Sequence, residues 1–288
     1  MNNVCVRAPA KINLGLRVLK KRPDGYHEIE TVFQMVSLFD DLRIEEGGPG
    51  IRIESDRDDL PCGEGNLIYR AAELLGRESG RPPAVRIRLC KRIPIAAGLG
   101  GGSSDAAATL VGLNRLWNLG FSRGRLMALA GEIGMDVPFF LFSATAFAKG
   151  RGEILEKLPS PSPPLWILLI HPGFKVSTAW AYQSLKLGLT IEHKNISIPK
   201  FFVAFPGEGR IPLENDLEKV TFKEYPRLKE IKGTLETSGA LHVLMSGSGS
   251  AIFGLFQDKD KALSVQKRLE QRKDLSVYLV HTLSALPA

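Results

Sequence analysis

The sequence has 288 residues, 44% of them hydrophobic and 24% charged, with 38 Lys and Arg against 31 Asp and Glu for a net charge of +7. That length holds one large or two ordinary domains, and the balance is that of a folded globular chain rather than a disordered one. No run approaches the ~20 apolar residues of a membrane span, and Cys5, Cys62 and Cys90 lack the spacing of a disulfide framework or a zinc module, which points to a reducing cytosol.

In chain order, the sequence opens with strands. The segment from Met1 to Asn13 has no apolar block, so neither a secretory signal nor a transit peptide is visible and a cytoplasmic location is expected. Ile12, Leu14, Leu16 and Val18 alternate strictly and share a core face, with Lys11, Asn13 and Arg17 on the other. Asp24-Gly25 marks a turn before a second strand-like run, His27 to Leu38. The same period recurs at Ile51 and Ile53 and over 84–90, where Arg86 and Arg88 face outward. Between those two segments Asn66 caps a helix with an apolar stripe of Leu67, Ile68, Ala71, Leu74 and Leu75. Helices are expected from about Ser104 to Asn118 and from about Ser122 to Ile133, with Gly134 as the C′ stop.

The segment Pro159-Ser160-Pro161-Ser162-Pro163-Pro164 can neither continue a helix nor join a central sheet. It reads as a connector between regions 1–158 and 165–288. Beyond it, strands near 165–170, 241–246, 251–256 and 276–281 mix with helices near 178–186, 226–236 and 258–272. Such interleaving, with antiparallel hairpins, makes the expected class α+β in two lobes. Part of the positive excess comes from Gln266 to Lys273, the solvated face of one helix, so the charge alone names no anionic partner.

The stretch richest in chemistry is Pro94-Ile95-Ala96-Ala97-Gly98-Leu99-Gly100-Gly101-Gly102-Ser103-Ser104. Four glycines in five positions let backbone N–H groups turn toward one point. Ser103 and Ser104 add hydroxyls and an N-cap, and the helix that follows aims its positive end back at the loop. Together these features make a phosphate site. The loop is not a Walker A motif, since no Gly-Lys-Ser/Thr follows, nor the dinucleotide fingerprint, since Ser103 stands at the third glycine position.

Other residues carry chemistry only if the fold assembles them. Lys11 by itself is an ordinary strand lysine. Asp136, two residues before Pro138, reads as a helix N-cap and as a partly buried carboxylate that needs a partner, for which Lys11 is a candidate. Tyr26-His27 sets an aromatic face beside an imidazole, which is how a nucleobase is held, or is merely a turn. Met245 to Ser250 joins two strands either as a simple hairpin or as a second glycine-rich wall facing the first.

Pro94 to Ser104 resembles the glycine-rich phosphate loop of the GHMP kinase superfamily, whose N-terminal lysine motif and late glycine-rich motif have counterparts in Ala8-Pro9-Ala10-Lys11-Ile12-Asn13-Leu14 and in Ser246 to Ser250. With Arg22-Pro23-Asp24-Gly25-Tyr26-His27 and Gly134-Met135-Asp136-Val137-Pro138-Phe139, the chain is similar over essentially its whole length to the branch whose acceptor is a cytidine diphosphate ester. The resemblance implies an N-terminal domain like domain 2 of ribosomal protein S5, a ferredoxin-like C-terminal domain, and a site between them. It implies an ATP-dependent kinase with Mg²⁺ bridging the phosphates, the metal's protein ligands being unknown. Asp136 would take the proton of the acceptor hydroxyl, and Lys11 would hold Asp136 ionised, orient the hydroxyl and neutralise charge on the phosphoryl group. Pro94 to Ser104 and Asn66 would bind ATP; Asn13, Tyr26, His27, Gly247, Ser248 and Gly249 would bind the acceptor.

Two departures stand out: Ala96-Ala97 where many relatives carry glycines, which stiffens the loop, and Ser248 and Ser250 where some carry threonine and alanine. Neither removes a required donor. Competing readings are a member acting on mevalonate, homoserine or a sugar, and an RNA-binding S5-like module. The Tyr26-His27 hairpin argues against the first. Aromatic residues (8%) that are mostly Phe in apolar runs argue against the second. No nucleic-acid or membrane partner is expected, and the protein is expected to be a monomer or homodimer.

Overall fold

The computed structural model describes residues 2–185 and 214–287. Two long strands, β1 (Asn3–Lys21) and β2 (His27–Glu46), pair antiparallel through a turn in which the Arg22 N–H donates to Tyr26 O at 2.8 Å and Gly25 takes φ +85°. β3 (Gly50–Ser55) lies parallel to β4 (Ala84–Cys90); β4 and β5 (Thr145–Gly150) both pair with β2, and β6 (Ile154–Lys157) pairs with β5. Helices α1 (Leu67–Glu78), α2 (Gly101–Leu116), α3 (Arg123–Ile133) and the short α4 (Phe139–Phe142) contribute to one core with Val6, Phe33, Ile44, Ile87, Leu110 and Leu113. The cap expected at Asn66 forms, its side chain accepting from Ile68 N at 2.9 Å, and Ser122, where the next helix is expected to start, caps it through Oγ accepting from Arg125 N at 3.3 Å.

The second sheet has the order β10 (Ser276–His281), β7 (Trp166–His171), β9 (Ile252–Phe256), β8 (His242–Met245), all antiparallel. Helices α5 (Thr178–Ser184), α6 (Glu218–Glu224), α7 (Pro226–Glu236) and α8 (Lys259–Leu269) accompany it. Ile12, Leu14, Leu99, Ile167, Leu169 and Phe253 form one apolar cluster between the sheets, while Leu168 and Ile170 on the other face of β7 join Leu228 and Phe256 in a third. Burial on both faces explains why β7 reads as an unbroken apolar run. Among the described residues no helix is long and apolar enough to cross a membrane.

Several boundaries differ from expectation. The helix expected from Ser104 begins at Gly101, because Gly100 at φ +67° turns the chain and the next two glycines accept helical torsions. The strand expected to end at Leu38 continues to Glu46, where β4 gives it a partner. Gly134 ends α3 in an extended conformation rather than as a left-handed stop. Strands β5 and β6 and helices α4 and α6 are too short, or too rich in small residues, to show a period. The helix expected over 178–186 ends at Ser184, and residue 186 lies outside the described residues.

Candidate active site

A cleft of about 700 Å³ gathers the phosphate loop, the Tyr26-His27 turn and the residues around Lys11. The β1 face opposite Ile12 and Leu14, which alternation alone would leave to solvent, is covered: Lys11 is 4% and Asn13 3% exposed. The Lys11 N–H donates to Leu99 O at 2.9 Å, and the lysine side chain passes over Gly100, where a Cβ would stand 3.0 Å from Lys11 Cγ and 2.9 Å from Phe140 Cζ. Lys11 Nζ donates to Asn13 Oδ1 at 2.7 Å, Asn13 Nδ2 to Thr31 Oγ1 at 2.8 Å, and Thr31 Oγ1 to Gly15 O at 2.6 Å. This chain fixes the ammonium 3.6 Å from Asp136 Oδ2 and 4.8 Å above the Phe33 ring centroid. Burial pulls the Lys11 pKa below its ordinary value, and the Asp136 carboxylate opposes that pull.

Asp136 does not cap a helix. The turn over 135–138 satisfies itself with backbone bonds, Val137 N to Gly134 O and Phe140 N to Val137 O, and Pro138 with no side-chain cap bond precedes α4. The carboxylate is therefore left to Lys11, with its side chain 35% exposed toward the cleft.

Residues 94–103 line the cleft. The first helical N–H groups of α2, on Gly101, Gly102 and Ser103, have no intrahelical partner and carry the positive end of the helix dipole. Gly100 occupies the cap position expected of the serines. Ser104 departs further from expectation: its N–H donates to Gly100 O at 2.9 Å, and its hydroxyl is buried outside the lining of this cleft. Ala96 sits at φ +53°, so the stiffer loop carries local strain.

The late motif is the second wall. Ser246 Oγ accepts from Asn13 N at 3.3 Å and donates to Gly98 O at 2.9 Å, and Ala251 N donates to Ala97 O at 3.1 Å. Gly247 and Ser248 line the cleft, whereas Gly249 does not: a Cβ there would meet Met245 Sδ and Thr221 instead. At Gly98, φ is +77° and a Cβ would lie 2.0 Å from Ser246 O. Gly98→Ala is thus expected to part the two walls and cost about 2–4 kcal/mol, from strained torsions plus overpacking. Thermal unfolding checks this, an unchanged Tm being the contrary result.

Asn66 lines the cleft from the start of α1, with both amide atoms engaged: Oδ1 caps the helix and Nδ2 donates to Pro61 O at 2.8 Å. Tyr26 is 52% exposed beneath the Arg151 guanidinium, 5.2 Å from its ring centroid. His27 stacks on Tyr182 at 5.3 Å and 30°, and burial with nearby Lys21 lowers its pKa, favouring the neutral ring. Tyr182, which sequence reasoning missed, comes from α5 of the second half; burial, with the charge of Asp136 second, raises its pKa.

Also missed was a buried group beneath the loop. Lys91 Nζ donates to Asp40 Oδ2 and, at 2.6 Å, to Asp105 Oδ2, while Asp40 Oδ1 accepts the N–H groups of Arg92 and Ile93 at 2.6 and 2.8 Å. Burial pushes the Asp105 carboxyl up to about 8 against the pull of Lys91. A charged residue inside the alanine-rich run after Ser104 was the available signal. Lys91 and Asp105 reach the cleft wall, and a Cβ on Gly101 would stand 2.9 Å from Lys91 Nζ.

Comparison with known proteins agrees with this geometry. Residues 66–144 match the GHMP kinases N terminal domain and residues 207–274 the GHMP kinases C terminal domain. A 4-diphosphocytidyl-2-C-methyl-D-erythritol kinase of Syntrophus aciditrophicus is 46% identical over 278 residues, covering 96% of this chain and 99% of the relative. One of Pelotomaculum thermopropionicum is 48% identical over 280 residues, covering 96% and 97%. A crystal structure of 4-(cytidine 5′-diphospho)-2C-methyl-D-erythritol kinase superposes with a TM-score of 0.79 at 39% identity, over 96% of this chain and 99% of that one. The α+β architecture with its two sheets is therefore the GHMP kinase fold, and the chain belongs to the 4-diphosphocytidyl-2-C-methyl-D-erythritol kinase family of ATP-dependent kinases.

Proposed function

We propose that the protein transfers the γ-phosphoryl group of ATP to the 2-hydroxyl of 4-diphosphocytidyl-2-C-methyl-D-erythritol, a step of the non-mevalonate route to isoprenoid precursors. The observation that carries this reading is the Lys11–Asp136 pair, 3.6 Å apart, held against the phosphate loop in the same cleft as the His27–Tyr182 stack. The relatives' names favour this acceptor over mevalonate, homoserine or a sugar, and favour a kinase over an RNA-binding module.

The roles follow from position. The free N–H groups of Gly101, Gly102 and Ser103 receive the ATP phosphates, with residues 94–100 shaping the approach. Asp136 takes the hydroxyl proton as the new O–P bond forms and the bond to the β-phosphate oxygen breaks. Lys11, already bonded to Asn13, has donors left for the transferring oxygens. Positioning and charge complementarity supply most of the catalysis in such transfers. Regions 1–158 and 165–288 each supply one wall, so the site depends on both.

Among the described residues no group of three His, Cys, Asp or Glu side chains could hold a metal by itself. That suits Mg²⁺, which takes its ligands largely from substrate phosphates and water. Ser103, a cleft-lining hydroxyl beside the phosphate loop, would complete its shell and leaves Asp136 free to act as the base. When bound, the ion neutralises charge on the phosphates.

Tyr26 and His27, backed by Tyr182, hold the cytosine by stacking and an edge hydrogen bond from a neutral imidazole. His27→Ala is expected to raise KM for the cytidine substrate about tenfold or more while leaving KM for ATP unchanged. Both constants rising together would remove the base from this pocket. The activity itself is tested by following ADP release with a panel of alcohols. Turnover with the cytidine diphosphate ester alone is expected, and equal turnover with mevalonate or homoserine would refute the acceptor assignment.

A further inference from the structure

A second cleft, about 220 Å³ in volume, lies along another face of α2, where Ser104, Ala108, Val111 and Arg115 recur at helical spacing. Three features set it apart. Arg7, Arg115 and Arg123 all line it, all are exposed, and none has a carboxylate partner among the described residues. Most other arginines are paired, such as Arg125 with Glu78, Arg88 with Glu54 and Arg227 with Asp274. Arg70 and Arg268 also lack a carboxylate partner among the described residues but lie outside this cleft. Among the described residues the Arg7 guanidinium is engaged by the Phe39 ring alone, 4.6 Å from its centroid. Three guanidiniums gathered without a counter-charge repel one another and favour an anion.

Between the arginines and α4 the lining is apolar, with Ala108, Val111 and Phe140. At the other end stands the Ser104 hydroxyl, in a residue only 1% exposed and with no hydrogen-bond partner. A buried hydroxyl left unmet is costly, so turning about the Ser104 Cα–Cβ bond toward the cleft it lines, to donate to an acceptor there, is favourable. Ser104 and Arg115 are separated by about 16 Å of helix axis, and the reach of the arginine side chain leaves room for a short alkyl chain between them.

The geometry points to a binding site for a small organophosphate. Its phosphate monoester head lies among Arg7, Arg115 and Arg123, its hydrocarbon middle on Ala108 and Val111, and an oxygen at its far end accepts from Ser104 Oγ. The volume is below that of ordinary drug-sized pockets and well below that of the nucleotide cleft. Head-group recognition by paired guanidiniums and tail recognition by apolar area are separable contributions, which makes the site testable with simple probes.

Titration calorimetry of the full chain, with the nucleotide cleft saturated by a non-hydrolysable ATP analogue, tests this with 6-hydroxyhexyl phosphate as the probe. One-to-one binding is expected with a dissociation constant below about 1 mM. R115Q/R123Q is expected to weaken it about tenfold or more, with ATP-analogue affinity unchanged. Hexyl phosphate is expected to bind several-fold more weakly than the hydroxylated probe to the natural protein, and equally to Ser104→Ala. Shortening the hydroxylated chain from six carbons to four is expected to cost about tenfold. Probe binding abolished by the analogue, or unaltered in R115Q/R123Q, would overturn the site. Inorganic phosphate binding as tightly as the probe would overturn its amphiphilic character, and equal affinities of the two hexyl compounds for the natural protein would remove Ser104 from it.

Discussion

Asp136→Asn is expected to lower turnover about 10²–10⁴-fold while the protein melts at nearly its original temperature. The amide keeps the shape of the carboxylate but takes up no proton. Little structure depends on the change, because Asp136 caps no helix and makes no backbone bond in the turn over 135–138. Lys11, 4% exposed, is the group that loses its counter-charge, but it keeps its bond to Asn13 Oδ1 and can release its proton, so no ammonium need stay buried without an acceptor. Stopped-flow or coupled ADP assays measure the loss, with circular dichroism as the control for folding. Near-normal turnover would refute Asp136 as the base.

Lys11→Met is expected to lower kcat by about 10²–10³-fold, the size of effect that follows removal of one preorganised donor to developing charge. The thioether chain can occupy the space beside Phe33 and Gly100. Relief of a buried ammonium offsets only part of the loss of the donor to the buried Asn13 Oδ1, so a small destabilisation of about 1 kcal/mol is expected at neutral pH. Retained turnover with a lowered Tm would reverse the assignment and make Lys11 structural.

The same lysine sets a pH signature. Burial lowers its pKa from 10.5, so the alkaline limb of kcat/KM should fall below that pH. In Asp136→Asn the partner that held the pKa up is gone, and the limb of the residual activity should move lower still. Stability responds with a definite sign. Between the lowered folded pKa and 10.5 the unfolded chain holds a proton that the folded chain has released, so stability rises with pH across that window. Lys11→Met should lack that rise in a melting series.

Much of the fold was legible because it depends on neighbours in the chain. The burial of Ile12, Leu14, Leu16 and Val18, the cap at Asn66, and the outward Arg86 and Arg88 all follow from torsions and periodicities spanning a few residues. A register shift after Asn13 nevertheless sends Leu16 and Val18 to a different core from Ile12 and Leu14. The glycine-rich run at 98–102 announced a phosphate site for the same reason: backbone freedom and a helix start are local properties. Where local signals were weak the reading fell short, as at β5, β6 and α4, or at Ser104, whose hydroxyl turned away once the helix began three residues early.

The amino-acid order by itself determined most of the parts: the longer strands and helices, the loop that can hold phosphate, and the family to which those parts belong. Only the tertiary structure decided which parts meet. Packing of the two sheets through Ile12, Leu99, Ile167 and Phe253 seats Ser246 on Gly98. The same fold brings Lys11 to Asp136, Tyr182 to His27, and Lys91 between Asp40 and Asp105. Such contacts join residues far apart in the chain, and no local propensity encodes them. They follow from how much apolar surface the whole chain can bury at once, which is a property of the folded molecule and not of any segment.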